Sequence, residues 1–144
     1  MIPILYAANE TDFTTYGIGA LRDTTSCIVT EQYNGEFEMI MQYPITGKLY
    51  EELAAERIIK AKAWDVREPQ LFRIYRITRP LRGIVTIYAQ HISYDLAGIA
   101  LAPFSGSYTA AGAMAYMFTG TPYTGISDKT GTKTVKTIEP KSVR

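Results

Sequence analysis

The chain has 144 residues, 47% of them hydrophobic and 20% charged, with 15 Lys and Arg against 14 Asp and Glu. That is long enough for one ordinary domain, or one domain and part of another, and too apolar for a disordered tail. A net charge of +1 with no dense window of Lys and Arg argues against nucleic-acid binding, because a phosphate backbone is met by a basic field.

The opening "MIPILYAANETDF" lacks the basic and long apolar regions of a secretory signal. No stretch approaches the roughly 20 apolar residues that span a bilayer, so no membrane segment is expected. Next, "CIVTEQYNGEFEMIMQY" places Asn34-Gly35 between two runs of β-branched, aromatic and apolar residues, a strong hairpin signal. A two-residue type I′ turn is expected there, with Gly35 supplying a positive φ without strain. Cys27, the single cysteine, cannot form an internal disulfide and reads as a small core residue. On the second strand Phe37, Met39 and Met41 point one way, while Ile40 puts an apolar group on the otherwise polar face. That predicts partial cover of this face by another element or another subunit.

After "YPITG", the segment "KLYEELAAERI" has apolar residues at roughly helical spacing and predicts a short helix of about two or three turns. "RIIKAKA" reads as a strand, with Ile59, Ala61 and Ala63 opposite Ile58, Lys60 and Lys62, and the polar "WDVREPQ" interrupts it. A second hairpin follows in "LFRIYRITRPLRGIVTIYAQHI", whose turn opens near Pro80 and closes at Gly83. Its first strand sets Phe72, Ile74, Arg76 and Thr78 against Leu71, Arg73, Tyr75 and Ile77. Its second sets Val85, Ile87, Ala89 and His91 against Ile84, Thr86, Tyr88 and Gln90. Large side chains on both faces suit a sheet that curls on itself or is covered on two sides. Residues 1–97 are therefore expected to be mainly β within an α+β class, a small antiparallel β-barrel or tight sandwich with short helices.

Residues 98–144 read as the incomplete start of a second α+β domain. "IALAPFSGSYTAAGAMAYMFTGTPYTG" carries no charge, and Thr109 is placed to cap a helix through Met114, Met117 and Phe118 that Gly120 and Pro122 end. "ISDKTGTKTVKTIEPKSVR" reads as a hairpin or edge strand, and its abrupt end predicts a fragment of a longer chain.

The stretch "AQHISYDLAG", residues 89–98, holds the only histidine together with a serine and an aspartate. If the strand ran on, His91, Ser93 and Asp95 would share one face at steps of roughly 6–7 Å, too far apart for a hydrogen-bonded triad. If the chain turns instead, Ser93 is an N-cap candidate and Asp95 falls in the first turn of a short helix. The second reading is preferred. One histidine and one cysteine match no zinc spacing, and neither "GTKTVKT" nor "TGTPYTG" has the spacing of a phosphate loop. The carboxylates of Glu36, Glu38, Glu51 and Glu52 lie on expected solvated faces. No catalytic, metal or cofactor residue is assigned.

Two motifs carry a resemblance: "N-G-x-[FY]-E-x-x-M-x-Y-P", here Asn34, Gly35, Phe37, Glu38, Met41, Tyr43 and Pro44, and "A-Q-H-I-S-Y-D-L" at residues 89–96. With "RIIKAK" and the opening segment, they make the whole chain resemble the N-terminal region of the tail-hub proteins of long-tailed phages and prophages of Gram-positive bacteria. That family includes phage minor structural proteins and prophage tail endopeptidases, and is similar to the baseplate hub of contractile tails. The resemblance implies a virion structural protein of the tail tip, made in the bacterial cytoplasm. It also implies a homotrimer in the full-length protein, seated against a ring of distal tail protein, with the tape-measure protein as a further neighbour. Asn34, Gly35, Pro80, Gly83, Gln90, His91, Ser93, Tyr94 and Asp95 are then structural-motif residues. Any peptidoglycan-cleaving module would lie further along a full-length member, so the expectation is no catalysis in this chain and no cofactor. The competing readings are a peptidoglycan hydrolase or peptidase domain using His91, and a carbohydrate-binding module using some of the 11 tyrosines.

Overall fold

The computed structural model describes residues 1–33, 35–63, 68–98, 109 and 112. The chain divides into two compact units, Met1–Ile92 and Ser93–Arg144. In the first, seven strands form one antiparallel sheet: β1 (Ile4–Tyr6), β2 (Gly19–Ala20), β3 (Ser26–Glu31), β4 (Phe37–Pro44), β5 (Ile58–Ala61), β6 (Gln70–Ile77) and β7 (Ile84–His91). Their order across the sheet is β2-β1-β5-β6-β7-β4-β3. A single interior cluster takes Leu5 from β1, near one edge, and Ile59, Phe72, Ile74, Ile87 and Met41 from the middle, with Val29 of the opposite edge strand packed against it. One cluster can draw on both edges of a seven-stranded sheet only if the sheet curls, and the result is a half-barrel, of the mainly β, barrel-like class expected. The chain itself crosses the seam: Leu21 N–H donates to Pro3 O at 2.8 Å beside β1, and Thr25 N–H donates to Gln42 O at 3.0 Å beside β4.

Period-2 alternation sends a second set of apolar residues to the outer face, and part of that face is covered. Tyr6, Ile58 and Leu71, each next in sequence to an interior residue, join Phe13 and Ile92 in a separate cluster outside β1, β5 and β6. The connection over residues 7–18 supplies the cover. Tyr6 Oη donates to Phe13 O at 3.2 Å and to Thr15 O at 2.5 Å, and the Tyr6 and Phe13 rings meet edge to face at 5.1 Å. Lys60 Nζ donates to Phe13 O at 2.6 Å. The outer face of β3, β4 and β7 has no such cover among the described residues, and Ile28 and Ile40 stand exposed there.

Both hairpins form, but their turns exchange character. Across β3 and β4 Val29 lies opposite Met39 and Glu31 opposite Phe37. The ladder continues with Gln32 N–H donating to Glu36 O at 2.8 Å, and the connection closes with Gly35 N–H donating to Gln32 O at 3.1 Å. The loop therefore spans three residues, 33–35, rather than the expected two; Asn34 lies outside the described residues. Packing explains the difference. A two-residue turn at 34–35 would slip the register by one and set inward-facing Val29 against outward-facing Ile40. Gly35 matters here through close approach, because a Cβ would lie 2.9 Å from Gln32 Cβ.

The type I′ geometry occurs in the other hairpin. Leu81 and Ile84 exchange both backbone hydrogen bonds, at 2.8 and 3.1 Å, around Arg82 at φ 51° and Gly83 at φ 78°. Pro80 precedes the turn rather than occupying its centre. No atom lies within 4 Å of a Cβ built on Gly83, so the only obstacle to a side chain there is the backbone conformation. Gly83→Val is expected to cost about 1–3 kcal/mol and Gly83→Asn markedly less, as read from urea unfolding midpoints. Equal losses in the two variants would mean that strain is not the cause.

Three further expectations are corrected. The predicted helix in "KLYEELAAERI" is a single 3-10 turn, Tyr50–Glu52, without a side-chain cap, because the stretch is too short to offset helix nucleation and Glu56 turns to φ 70° to enter β5. Cys27 is exposed rather than in the core: β3 is an edge strand, so its inward-facing residues lack a neighbour on one side. The protein around it still pushes the Cys27 thiol pKa up by desolvation. In β6 a bulge between Ile74 and Arg76 shifts the phase of the strand, so Ile77 joins Phe72 and Ile74 at the interior while Tyr75 and Arg76 are exposed. Of the uncharged segment beyond, Gly112 N–H donates to Thr109 Oγ1 at 3.1 Å, the bond expected of an N-cap. The rest of that helix, the segment 64–67 and the final hairpin lie outside the described residues.

Candidate functional site

His91 ends β7 on the interior face and is the buried polar residue of the core, at 5% exposure. Strand alternation puts it in line with Phe72 across β6, and its ring stacks on Phe37 of β4 at 4.3 Å with an interplanar angle of 14°. Phe72 meets it edge on at 5.7 Å, and Phe37 and Phe72 meet each other at 5.4 Å. His91 Nε2 lies 3.2 Å from Gln70 Oε1. The imidazole is thus held between two aromatic rings and an amide at one end of the half-barrel, an arrangement that fixes the position of three strands.

The chain turns directly after His91. A 3-10 helix, Ile92–Gly98, carries Ser93, Tyr94 and Asp95, with Asp95 in its first turn and Ile92 buried in the outer cluster. Ser93 stands within the helix's first turn rather than ahead of it as an N-cap. Gln90 faces outward, between Glu38 of β4 and Arg73 of β6. The sequence motif residues are therefore divided: His91 points in, Gln90 points out, and the next three belong to a different element.

The motif around β4 has its own internal logic. Met41 and Tyr43 are fully buried, and Tyr43 Oη donates to Asp23 Oδ2 at 3.3 Å while accepting from Leu49 N–H at 3.3 Å. Asp23 Oδ2 also accepts from Lys48 N–H at 2.9 Å, so one phenol and one carboxylate tie the seam segment to the turn after β4. Burial pushes the Tyr43 hydroxyl pKa up, opposed by the Leu49 bond and reinforced by Asp23. Gly47 gives the ring its room, since a Cβ there would lie 2.4 Å from Tyr43 Cε1.

The outer face contains a second cluster that sequence reading did not assemble. Ile28, Ile40, Tyr88 and Arg76 form one cross-strand row over β3, β4, β7 and β6. The Arg76 guanidinium lies 3.8 Å from the centroid of Tyr88, and Tyr75 Oη donates to Glu38 Oε2 at 3.3 Å. Burial first and the Glu38 carboxylate second raise the Tyr75 pKa. The exposed Ile40 was one available signal for this face; the other was Arg76, which strict alternation would turn inward and which the β6 bulge brings outward together with Tyr75.

Among the described residues, no group of three or more His, Cys, Asp or Glu side chains is placed to hold a metal ion. No helix among them is long and apolar enough to cross a membrane. The fold thus defines a small antiparallel β half-barrel with a buried aromatic-histidine end and an outer face that, among the described residues, is covered over β1, β5 and β6 and not over β3, β4 and β7. Comparisons with protein-family models, curated proteins and solved structures found no match to this chain.

Proposed function

We propose that this chain is a structural module of a phage or prophage tail-tip hub, joining the tail tube and the distal tail protein to the tip, with no catalysis of its own. The observation that carries this reading is the pair of motifs around Asn34 to Pro44 and residues 89–96. The architecture is compatible with it: a curled sheet with one filled face and an outer face partly open to a neighbour. In this role His91, Phe37 and Phe72 are packing residues at the barrel end, and the protein resides in the virion, in a homotrimer once later hub domains are attached.

The test is binding to the distal tail protein of the same phage, followed by light scattering at about tens of micromolar. A stable complex is expected. A chain that ignores that partner throughout this range removes the hub reading. Zymography on peptidoglycan addresses the hydrolase alternative, for which clearing lost in His91→Ala is the diagnostic result; no clearing is expected.

A further inference from the structure

We infer that the connection over residues 7–16 is a strap that opens without the rest of the first unit, and that its release is coupled to the release of Ile92, where the chain leaves that unit. The inference does not rest on the hub reading. Phe13 is the one buried side chain between Ala7 and Ile18, so a single ring plugs the outer cluster. The polar bonds that hold the strap to the sheet among the described residues all come from side chains. Tyr6 Oη and Lys60 Nζ donate to Phe13 O, Tyr6 Oη donates also to Thr15 O, and an Arg73 guanidinium nitrogen donates to Ala8 O at 3.2 Å. No backbone–backbone bond joins residues 7–16 to a strand among the described residues; the first, Ile18 N–H to Leu5 O at 2.8 Å, lies beyond Gly17. One buried side chain and no ladder are the features of a segment that opens locally. The strap also keeps its own shape: Glu10 Oε1 accepts from the N–H groups of Thr11 and Asp12, and Asp12 Oδ1 accepts from Thr14 N–H and Oγ1, bonds that its lifting leaves intact.

The coupling follows from the membership of the outer cluster, which is Tyr6, Phe13, Ile58, Leu71 and Ile92. Tyr6, Ile58 and Leu71 stand on β1, β5 and β6 and stay with the sheet. Phe13 and Ile92 are the removable members. Phe13 belongs to the strap, and Ile92 both opens the 3-10 helix after β7 and ends the first unit. Withdrawal of either one strips apolar cover from the small cluster in which the other is buried, so each release favours the other. Linkage makes that effect equal in both directions. A partner that draws the chain away at Ile92 therefore loosens the strap, and one that holds the strap down steadies the exit.

Thiol labelling of the intact chain by an aromatic disulfide reagent, in a Cys27→Ser background, is the test. Leu71→Cys reports on the cluster beneath the strap, and Ile87→Cys reports on the interior. Residue 71 should label at least about tenfold faster than global unfolding of the same variant allows, with little dependence on low urea, whereas residue 87 should label only through global unfolding. Phe13→Ala and Ile92→Ala should each speed labelling at residue 71 by about tenfold, and the two together by less than the product of the single effects. Phe13→Leu keeps an apolar plug and should fall between, which preserves the comparison should Phe13→Ala fail to fold. Labelling at residue 71 that requires global unfolding would overturn the strap. Effects of Phe13 and Ile92 substitutions that simply multiply would overturn the coupling.

Discussion

Gly17→Ala is expected to destabilise the first unit by about 2–5 kcal/mol, a large share of what a domain this size has to lose. Two costs coincide at this residue. Its φ is 51°, in the left-handed region, and a Cβ would lie 2.6 Å from Leu5 O and 2.5 Å from Tyr6 Cδ1. Neither neighbour can move easily: Leu5 O accepts from Ile18 N–H at 2.8 Å, and the Tyr6 ring is fully buried under Phe13. The variant should therefore loosen the connection over residues 7–18 and uncover the outer cluster, which chemical denaturation and amide exchange of that segment would both register. A loss below about 1 kcal/mol would mean that the connection re-forms around the methyl group.

Phe72→Ala is the second large effect, about 3–5 kcal/mol in urea unfolding, because it leaves a cavity where three strands meet. Phe72 is fully buried and its ring touches both Phe37 and His91, so its loss also frees the imidazole from one of its two walls. Ile40→Thr, on the same sheet but facing outward, should stay within about 0.5 kcal/mol. Comparable losses in the two variants would contradict the division into a filled interior and an open outer face. The contrast also bears on function: a residue whose substitution spares stability but abolishes partner binding belongs to the outer face, and a packing residue cannot behave that way.

Much of the architecture was legible in the sequence because strand periodicity and turn chemistry act locally. The two hairpins, the inward set Met39, Met41, Val85, Ile87, Ala89 and His91, and the exposure of Ile40 all follow from alternation within single strands. The two-sided strands around Ile58 and Leu71 likewise announced that something covers both faces there. Local pattern also misled. Asn34-Gly35 has the composition of a two-residue turn, and the hairpin refuses it because one residue of slip would turn Val29 away from the interior.

What only the tertiary structure decided lies where distant segments meet. No window of sequence shows that Phe37, Phe72 and His91 form one stack, since they lie on three strands joined by register. Nor does it show that the connection over residues 7–18 caps β1, β5 and β6 while β3, β4 and β7 have no such cover among the described residues. Cys27 carries the neighbours of a core residue, and strand order alone places it at an edge. The β6 bulge is the same lesson at one residue's scale: strict alternation in "LFRIYRIT" would turn Arg76 inward and Ile77 outward, and the demand that Ile77 fill the interior overrides it. Sequence by itself therefore determined that β3 to β7 are strands and which two pairs form hairpins; β1, β2 and the length of the first turn did not follow from it. Burial, summed over contacts between segments far apart in the chain, chose the register, the covered face and the edge, because hydrophobic gain depends on who the neighbours are and not on the residue alone.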